Sequence, residues 1–181
     1  VQTIKGSSDK LLTVIDNAVA LSQIAQGESI SKKRINLDQT LHDVISEFDQ
    51  LSQHAEIELK YLSNGDIFVN ANPIITQVFK NYLSNAIKYA KHGKQIILRI
   101  KEENRFVVVQ VIDFGDTISR ESRETIFLRQ TRLDNPDVKG RGLGLAIVKR
   151  IADAHDAEVW VEPNEPKGNI FCLKMPTGFD E

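Results

Sequence analysis

Apolar positions along the chain follow two different periods. Leu11, Val14, Ile15, Ala18, Leu21 and Ala25 recur every three or four residues, which predicts one stripe of a helix over about 8–26. Ser7, Ser8 or Asp9 can cap its start, and Gly27 stands where it would end. The stripe is narrow, and suits a partner helix as well as the surface of its own domain. The polar, basic stretch 29–34 reads as a link, with Lys32, Lys33 and Arg34 in solvent. A second helix is predicted to begin at Asp38 as cap and to bury Leu41, Val44, Ile45, Phe48 and Leu51.

Period two then takes over. IELKYL (57–62) and DIFVN (66–70) read as strands joined by the turn 63–65. Asn72-Pro73, a cap followed by proline at the first helical position, opens a long helix to about Lys91, which His92-Gly93 closes. QIILRIKEE and FVVVQVID predict a hairpin around Glu103-Asn104. Residues 114–142 are rich in Gly, Asp, Arg and Pro, with periodicity only for a short helix near 120–127. A helix over about 143–155 and two strands, EVWVE and NIFCLKMP, complete the pattern. Hairpin pairs outnumber crossovers, so the expectation is an α+β fold: a two-layer sandwich with a mixed sheet and helices on one face. A loop of more than twenty residues within such a domain reads as a functional lid.

Composition narrows this picture. At 181 residues and 41% hydrophobic, the chain can bury a real core. Lys and Arg number 23 against 25 Asp and Glu, so a nucleic-acid grip, which wants a strongly basic face, is not expected. The lone Cys172 permits no intrachain disulfide and argues against a thiolate metal site. The longest apolar run, 106–112, is strand-sized and broken by Gln110, so no membrane contact is expected of this segment, and no signal peptide is visible. Because the first residue is Val, we expect a piece of a longer polypeptide, whose other parts stay open.

Three stretches carry candidate chemistry. In the helix after Pro73, Ile75, Phe79, Tyr82, Leu83, Ala86 and Ala90 share the core face, while Asn81, Asn85 and Lys88 share another with Tyr89 at its margin. Asparagine is a poor helix former, and an amide oxygen is a hard neutral ligand suited to Mg²⁺. A lysine one turn on can meet the same phosphates. A solvated polar face explains this helix alone equally well. Next, VIDFGDTIS delivers Asp113 from a strand into a turn with Gly115. A buried carboxylate needs a donor, such as the exocyclic amine of adenine, and Gly115 would let backbone approach a flat base. An Asp-Gly turn without a ligand is the plainer alternative. Third, Gly140, Gly142 and Gly144 lead into a helix whose free N–H groups can seat phosphate. This spacing matches neither the Walker loop nor the dinucleotide fingerprint.

Taken in order, the three stretches resemble the ATP-binding domain of two-component sensor histidine kinases, in the wider family shared with type II topoisomerases and mismatch-repair ATPases. NYLSNAIKYA (81–90) looks like the N box and DFGDTI (113–118) like the G1 box. IFLRQTR (126–132) looks like the F box and GRGLGLAIVKRI (140–151) like the G2 box. The resemblance runs from about residue 8 to 176. It implies the Bergerat ATP-binding fold: a mixed five-stranded sheet, three helices on one face, a mobile lid, and a long helix in front. Residues 1–28 would be the second helix of a dimerisation hairpin whose acceptor helix lies outside the chain, and 29–181 the catalytic domain.

The implied cofactors are ATP and Mg²⁺, with Asn81 and Lys88 as catalytic positions and Asn85 on the metal. Lys88 would touch phosphate, Tyr89 lie beside the adenine and Asp113 read its amine. Gly115 and Ile118 would line the base, with Gly140, Gly142, Leu143, Gly144 and Leu145 at the phosphate seat. Arg132, Lys139 and Arg141 would be lid cations. Implied partners are the dimerisation helix of a second protomer and a response regulator, in the cytoplasm or on the cytoplasmic side of a membrane-bound sensor.

Departures from the family pattern are Thr117 for the second G1 glycine, expected to crowd the base-side backbone, and Gln130 for the second F-box aromatic. His155-Asp156-Ala157 replaces His-Gly-Gly. In ATPases of the wider family a glutamate activates water where this chain has Asn81, and an amide is no general base. That favours phosphoryl transfer to another nucleophile, with hydrolysis and a nucleotide-blind interaction module as alternatives. His42 echoes an acceptor motif but falls on a helix of the nucleotide domain. His54, His92 and His155 fall near helix ends, where histidine can favour the dipole. Cys172 reads as a small buried hydrophobe, and Trp160 as packing in or beside the core.

Overall fold

The computed structural model describes residue 22 and residues 30–63, 65–128 and 144–178. The proposed helix over 8–26, residue 22 apart, and residues 129–142 of the predicted lid fall outside the described residues. Strand β1 (Lys33–Asn36) runs straight into helix α1 (Leu37–His54), followed by strands β2 (Glu58–Leu62) and β3 (Phe68–Ala71). A turn at Pro73–Ile75 leads into α2 (Thr76–Tyr89), then β4 (Gln95–Glu103) and β5 (Phe106–Asp113). The short α3 (Arg120–Thr125), then α4 (Gly144–Ala154), β6 (Glu158–Pro163) and β7 (Asn169–Pro176) complete the described elements.

Five strands form one mixed sheet in the order β2-β4-β5-β7-β6, parallel only between β2 and β4. The stretches 57–62 and 66–70 therefore form no hairpin. β3 pairs with β1 in a separate two-stranded antiparallel sheet, and β2 takes β4 as neighbour after the crossover through α2. Parallel neighbours need such a long crossover, and α2 supplies it. The basic run is likewise not all linker, since Lys33 and Arg34 lie in β1 and Arg34 stacks over the Phe68 ring at 4.2 Å.

Strand periodicity sets the two faces of the sheet. Ile96, Leu98 and Ile100 of β4 stand opposite Asp113, Val111 and Val109 of β5, which in turn face Asn169, Phe171 and Leu173 of β7. The apolar members of this face are buried against α1, α2 and α4. Tyr82 and Phe79 are fully buried there, each worth about 1.5–3 kcal/mol of apolar burial. Tyr82 satisfies its hydroxyl by donating to the Cys172 carbonyl at 3.0 Å. Cys172 is buried, but its side chain belongs to the opposite face, where Gln110 donates to its Sγ at 3.4 Å. Burial pushes this thiol up to about 11. Trp160, its cross-strand neighbour on that same face, is half-buried and donates to Glu162, so it packs beside Cys172 and away from the helical core.

The helix boundaries differ from the sequence expectation in three places. Asn36 caps α1, accepting from the Gln39 amide at 3.2 Å. Asp38 lies in the first turn and accepts from the Tyr61 and Ser63 hydroxyls instead. Leu51 is 49% exposed, and in the last turn of the helix it is Ser52 that faces inward, at 3%. Helix α2 stops at Tyr89, followed by a tighter turn at Lys91–Gly93 and Lys94 in the left-handed region. Asn72 caps as expected, accepting from the Ile74 amide at 3.0 Å.

Candidate functional site

The described parts of the three motif-bearing stretches converge at one end of the sheet. Asp113 is the last residue of β5, Asn81 and Asn85 lie on α2, and Gly144 is the first residue of α4. α2 packs on both β5 and α4, which brings the amide-bearing helix beside the glycine-led one. A Cβ built on Gly144 would lie 2.6 Å from Asn81 Oδ1, so glycine lets the start of α4 press against the amide. The Asn81 amide nitrogen donates to the Gln77 carbonyl at 2.8 Å, which fixes its rotamer.

Asp113 is 3% exposed. Its Oδ1 accepts from the Gly115 amide at 2.9 Å, and Asn169 Nδ2 stands 3.2 Å from Oδ1 and 3.3 Å from Oδ2. Burial raises the Asp113 pKa above the ordinary carboxylate value, and the Gly115 amide and the Asn169 side chain pull it back. Gly115 also has a packing role within the fold. A Cβ there would lie 2.7 Å from Ala90 Cα, so the glycine lets the 113–118 turn approach the end of α2.

Thr117 does not crowd this turn: it is exposed, and its hydroxyl accepts from the Gly168 amide at 3.0 Å. The Ile118 amide donates to Asn169 Oδ1 at 2.8 Å, while its half-buried side chain packs on the core, as does that of Leu145.

Among the described residues the Asn85 side chain makes no hydrogen bond, and the Lys88 ammonium lies 5.1 Å from the centre of the Tyr89 ring. Tyr89 is 52% exposed, which leaves a broad aromatic face at the margin of the site. A half-buried neutral amide oxygen beside a lysine fits a hard divalent cation bridging to phosphate. A buried carboxylate with acceptor capacity to spare fits a base amine. Of the predicted phosphate-side residues, Arg132, Lys139, Gly140, Arg141, Gly142 and Leu143 lie outside the described residues, as does Gln130.

Two participants were missed in the sequence. Asn169 meets Asp113 as its cross-strand partner, and Asn164 Nδ2 donates to the Asp113 carbonyl at 3.1 Å. Of the histidines, His42 sits 3.9 Å from Asp38 on the exposed face of α1, and His54 contacts the Gln50 carbonyl of its own helix. His155 is no dipole-side cation. It is buried, Nδ1 donates to the Ile151 carbonyl at 2.7 Å and Nε2 accepts from the Asn72 amide at 3.0 Å. Burial lowers its pKa.

A family model described as histidine kinase-, DNA gyrase B- and HSP90-like ATPase matches residues 70–178. The chain is 27% identical over 180 residues to the sensor histidine kinase WalK of Bacillus subtilis (strain 168), covering 95% of this chain and 29% of that relative. The fold is similar to the catalytic domain of the histidine kinase ThkA, with a TM-score of 0.72 and 26% identity. That match covers 82% of this chain and 97% of the other. ThkA in complex with the response regulator TrrA matches over 98% of this chain and 50% of that one, with a TM-score of 0.72 and 23% identity. Among the described residues no helix is long and apolar enough to cross a membrane.

Proposed function

This chain belongs to the histidine kinase-, DNA gyrase B- and HSP90-like ATPase family, and from that premise we propose that it is the ATP-binding catalytic part of a two-component sensor histidine kinase. It would pass the γ-phosphate of ATP to a histidine on a dimerisation helix outside the chain, for relay to a response regulator. The observation that carries the adenine end of this reading is Asp113, a buried carboxylate at a strand end with an oxygen left for a donor. Guanine presents a carbonyl oxygen where adenine presents its amine, and a carboxylate repels it. Support for the sensor-kinase assignment comes from the WalK likeness, of whose length this chain spans 29%. The likeness to a kinase in complex with its response regulator supports the partner.

On this reading Asn85 holds Mg²⁺, which when bound offsets the charge of the phosphates. Lys88 contributes a positive charge to the same phosphates, and Tyr89 lies against the base. Asn81, its amide tied to the Gln77 carbonyl, orients the phosphate side of the crevice and takes up no proton. Catalysis is then positioning plus charge neutralisation, as for phosphoryl transfer generally. Arg132, Lys139 and Arg141 are proposed as lid cations, and residues 1–28 as the second helix of the dimerisation hairpin, on the cytoplasmic side.

Incubating the chain with Mg·ATP and a separately produced acceptor hairpin is the test. Acid-labile phosphate on the hairpin, and none on this chain alone, is the expected result. Fast phosphate release without transfer would instead place the chain among the hydrolases, and no nucleotide binding would make it an interaction module.

A further inference from the structure

We propose that Asn169 is a positioning residue for adenine selection, which holds the Asp113 carboxylate so that its Oδ2 faces the base amine as an acceptor. The inference rests on the reading of this crevice as an adenine site. Asn169 is 4% exposed, so its bonding capacity must be met within the protein. Its Oδ1 accepts from the Ile118 amide at 2.8 Å, and its Nδ2 donates to the Asp116 carbonyl at 2.9 Å as well as standing over the Asp113 carboxylate.

The Ile118 N–H can only donate and the carboxylate can only accept, so one orientation of the amide satisfies both. Asn169 has both Nδ2 donors spent on the 113–118 turn, at the Asp116 carbonyl and the Asp113 carboxylate. Its part is to orient Asp113.

The two carboxylate oxygens are not equivalent. Oδ1 takes the Gly115 amide at 2.9 Å and the nearer share of Asn169. Oδ2 takes only the 3.3 Å share, which leaves it as the oxygen with acceptor capacity. The backbone is built to keep the pair together. Gly168, at φ +119°, precedes Asn169, and a Cβ there would lie 2.0 Å from the Asp113 carbonyl oxygen. Asn164 holds that same carbonyl from the other side of the β6–β7 turn. An acceptor fixed in this way accepts a hydrogen bond from a base amine without reorganising.

The test compares dissociation constants for Mg·ATP and for Mg·purine riboside triphosphate, whose base carries hydrogen in place of the amine. The whole chain is used, with melting curves as a control for folding. Wild type is expected to prefer ATP by about tenfold or more, the scale of a hydrogen bond to a charged group. Asn169→Asp keeps the acceptor for Ile118 but replaces the donor with a second carboxylate, and the preference should fall below about threefold.

Asn169→Thr and Asn169→Val form a shape-matched pair differing in one donor. The threonine variant should keep the preference and the valine variant should lose it, whether or not the aspartate variant folds. A preference unchanged in the valine variant, or equal weakening of both nucleotides in every variant, overturns the inference and leaves the adenine site standing. Wild type that binds neither nucleotide overturns the adenine reading and this inference with it.

Discussion

Gly144, the first residue of α4, stands so close to Asn81 on α2 that a methyl group there would meet the amide oxygen at 2.6 Å. The two residues come from motifs more than sixty positions apart in the sequence, and their contact joins the glycine-led helix start to the asparagine-bearing helix. Asn81 cannot easily yield, because its other amide atom is bonded to the Gln77 carbonyl.

Gly144→Ala should therefore separate stability from binding. Alanine is the better helix former by roughly 1 kcal/mol, which offsets much of the cost of moving one side-chain oxygen. The melting temperature should stay within a few degrees of wild type, while affinity for Mg·ATP falls several-fold. Differential scanning fluorimetry beside a fluorescent ATP-analogue titration checks both, and a variant with unaltered affinity would separate the contact from the phosphate seat.

Gly168→Ala should behave in the opposite way. Its Cβ would fall 2.0 Å from a backbone oxygen of Asp113, at a φ of +119° that L-residues rarely adopt. Neither backbone can withdraw without opening the pairing of β5 with β7, so the expected loss is about 3 kcal/mol or more. Urea denaturation should show a clearly lower midpoint before any ligand is added.

His155 gives the fold a pH dependence of known sign. Burial holds its folded-state pKa below the ordinary 6.5, so below that value the unfolded chain binds the extra proton and stability falls with falling pH. The charged groups beside it, Lys32 and Asp156, form an ion pair at 2.7 Å and act on it in opposite directions. Asp113, with its raised pKa, works the other way at lower pH by taking up a proton in the folded state. Asp38, Asp116 and Asp156, whose pKa values are lowered, stay ionised between pH 7 and 5. Wild type should lose stability over that interval, and His155→Gln should show a flatter profile in thermal melts.

How much of this was legible in the sequence follows from the range of each signal. Helix α2 and the β4–β5 hairpin are written locally, in the spacing of Phe79, Tyr82 and Leu83 and in the apolar strands on either side of Asn104. Asp113 and Asn85 stood out because a carboxylate ending an apolar strand, and asparagines in a helix, run against ordinary propensity. Strand β1 escaped notice because KRIN is short and polar, and only its pairing with Phe68–Ala71 makes it a strand. Asn169 and Asn164 were silent for a related reason. Their importance comes from cross-strand register and a turn, and nothing in their own neighbourhood marks them. Asn36 was passed over as cap because Asp38 is an equally good capping type, and the choice is settled by Tyr61 and Ser63, which claim the aspartate.

The most direct test of the whole account is a calorimetric titration of ATP with Mg²⁺ into the wild-type chain and into Asp113→Ala. Wild type should show one saturable site, and the variant an affinity at least tenfold weaker, with its melting curve recorded alongside. No heat at millimolar ATP, or equal affinity in the folded variant, would contradict it.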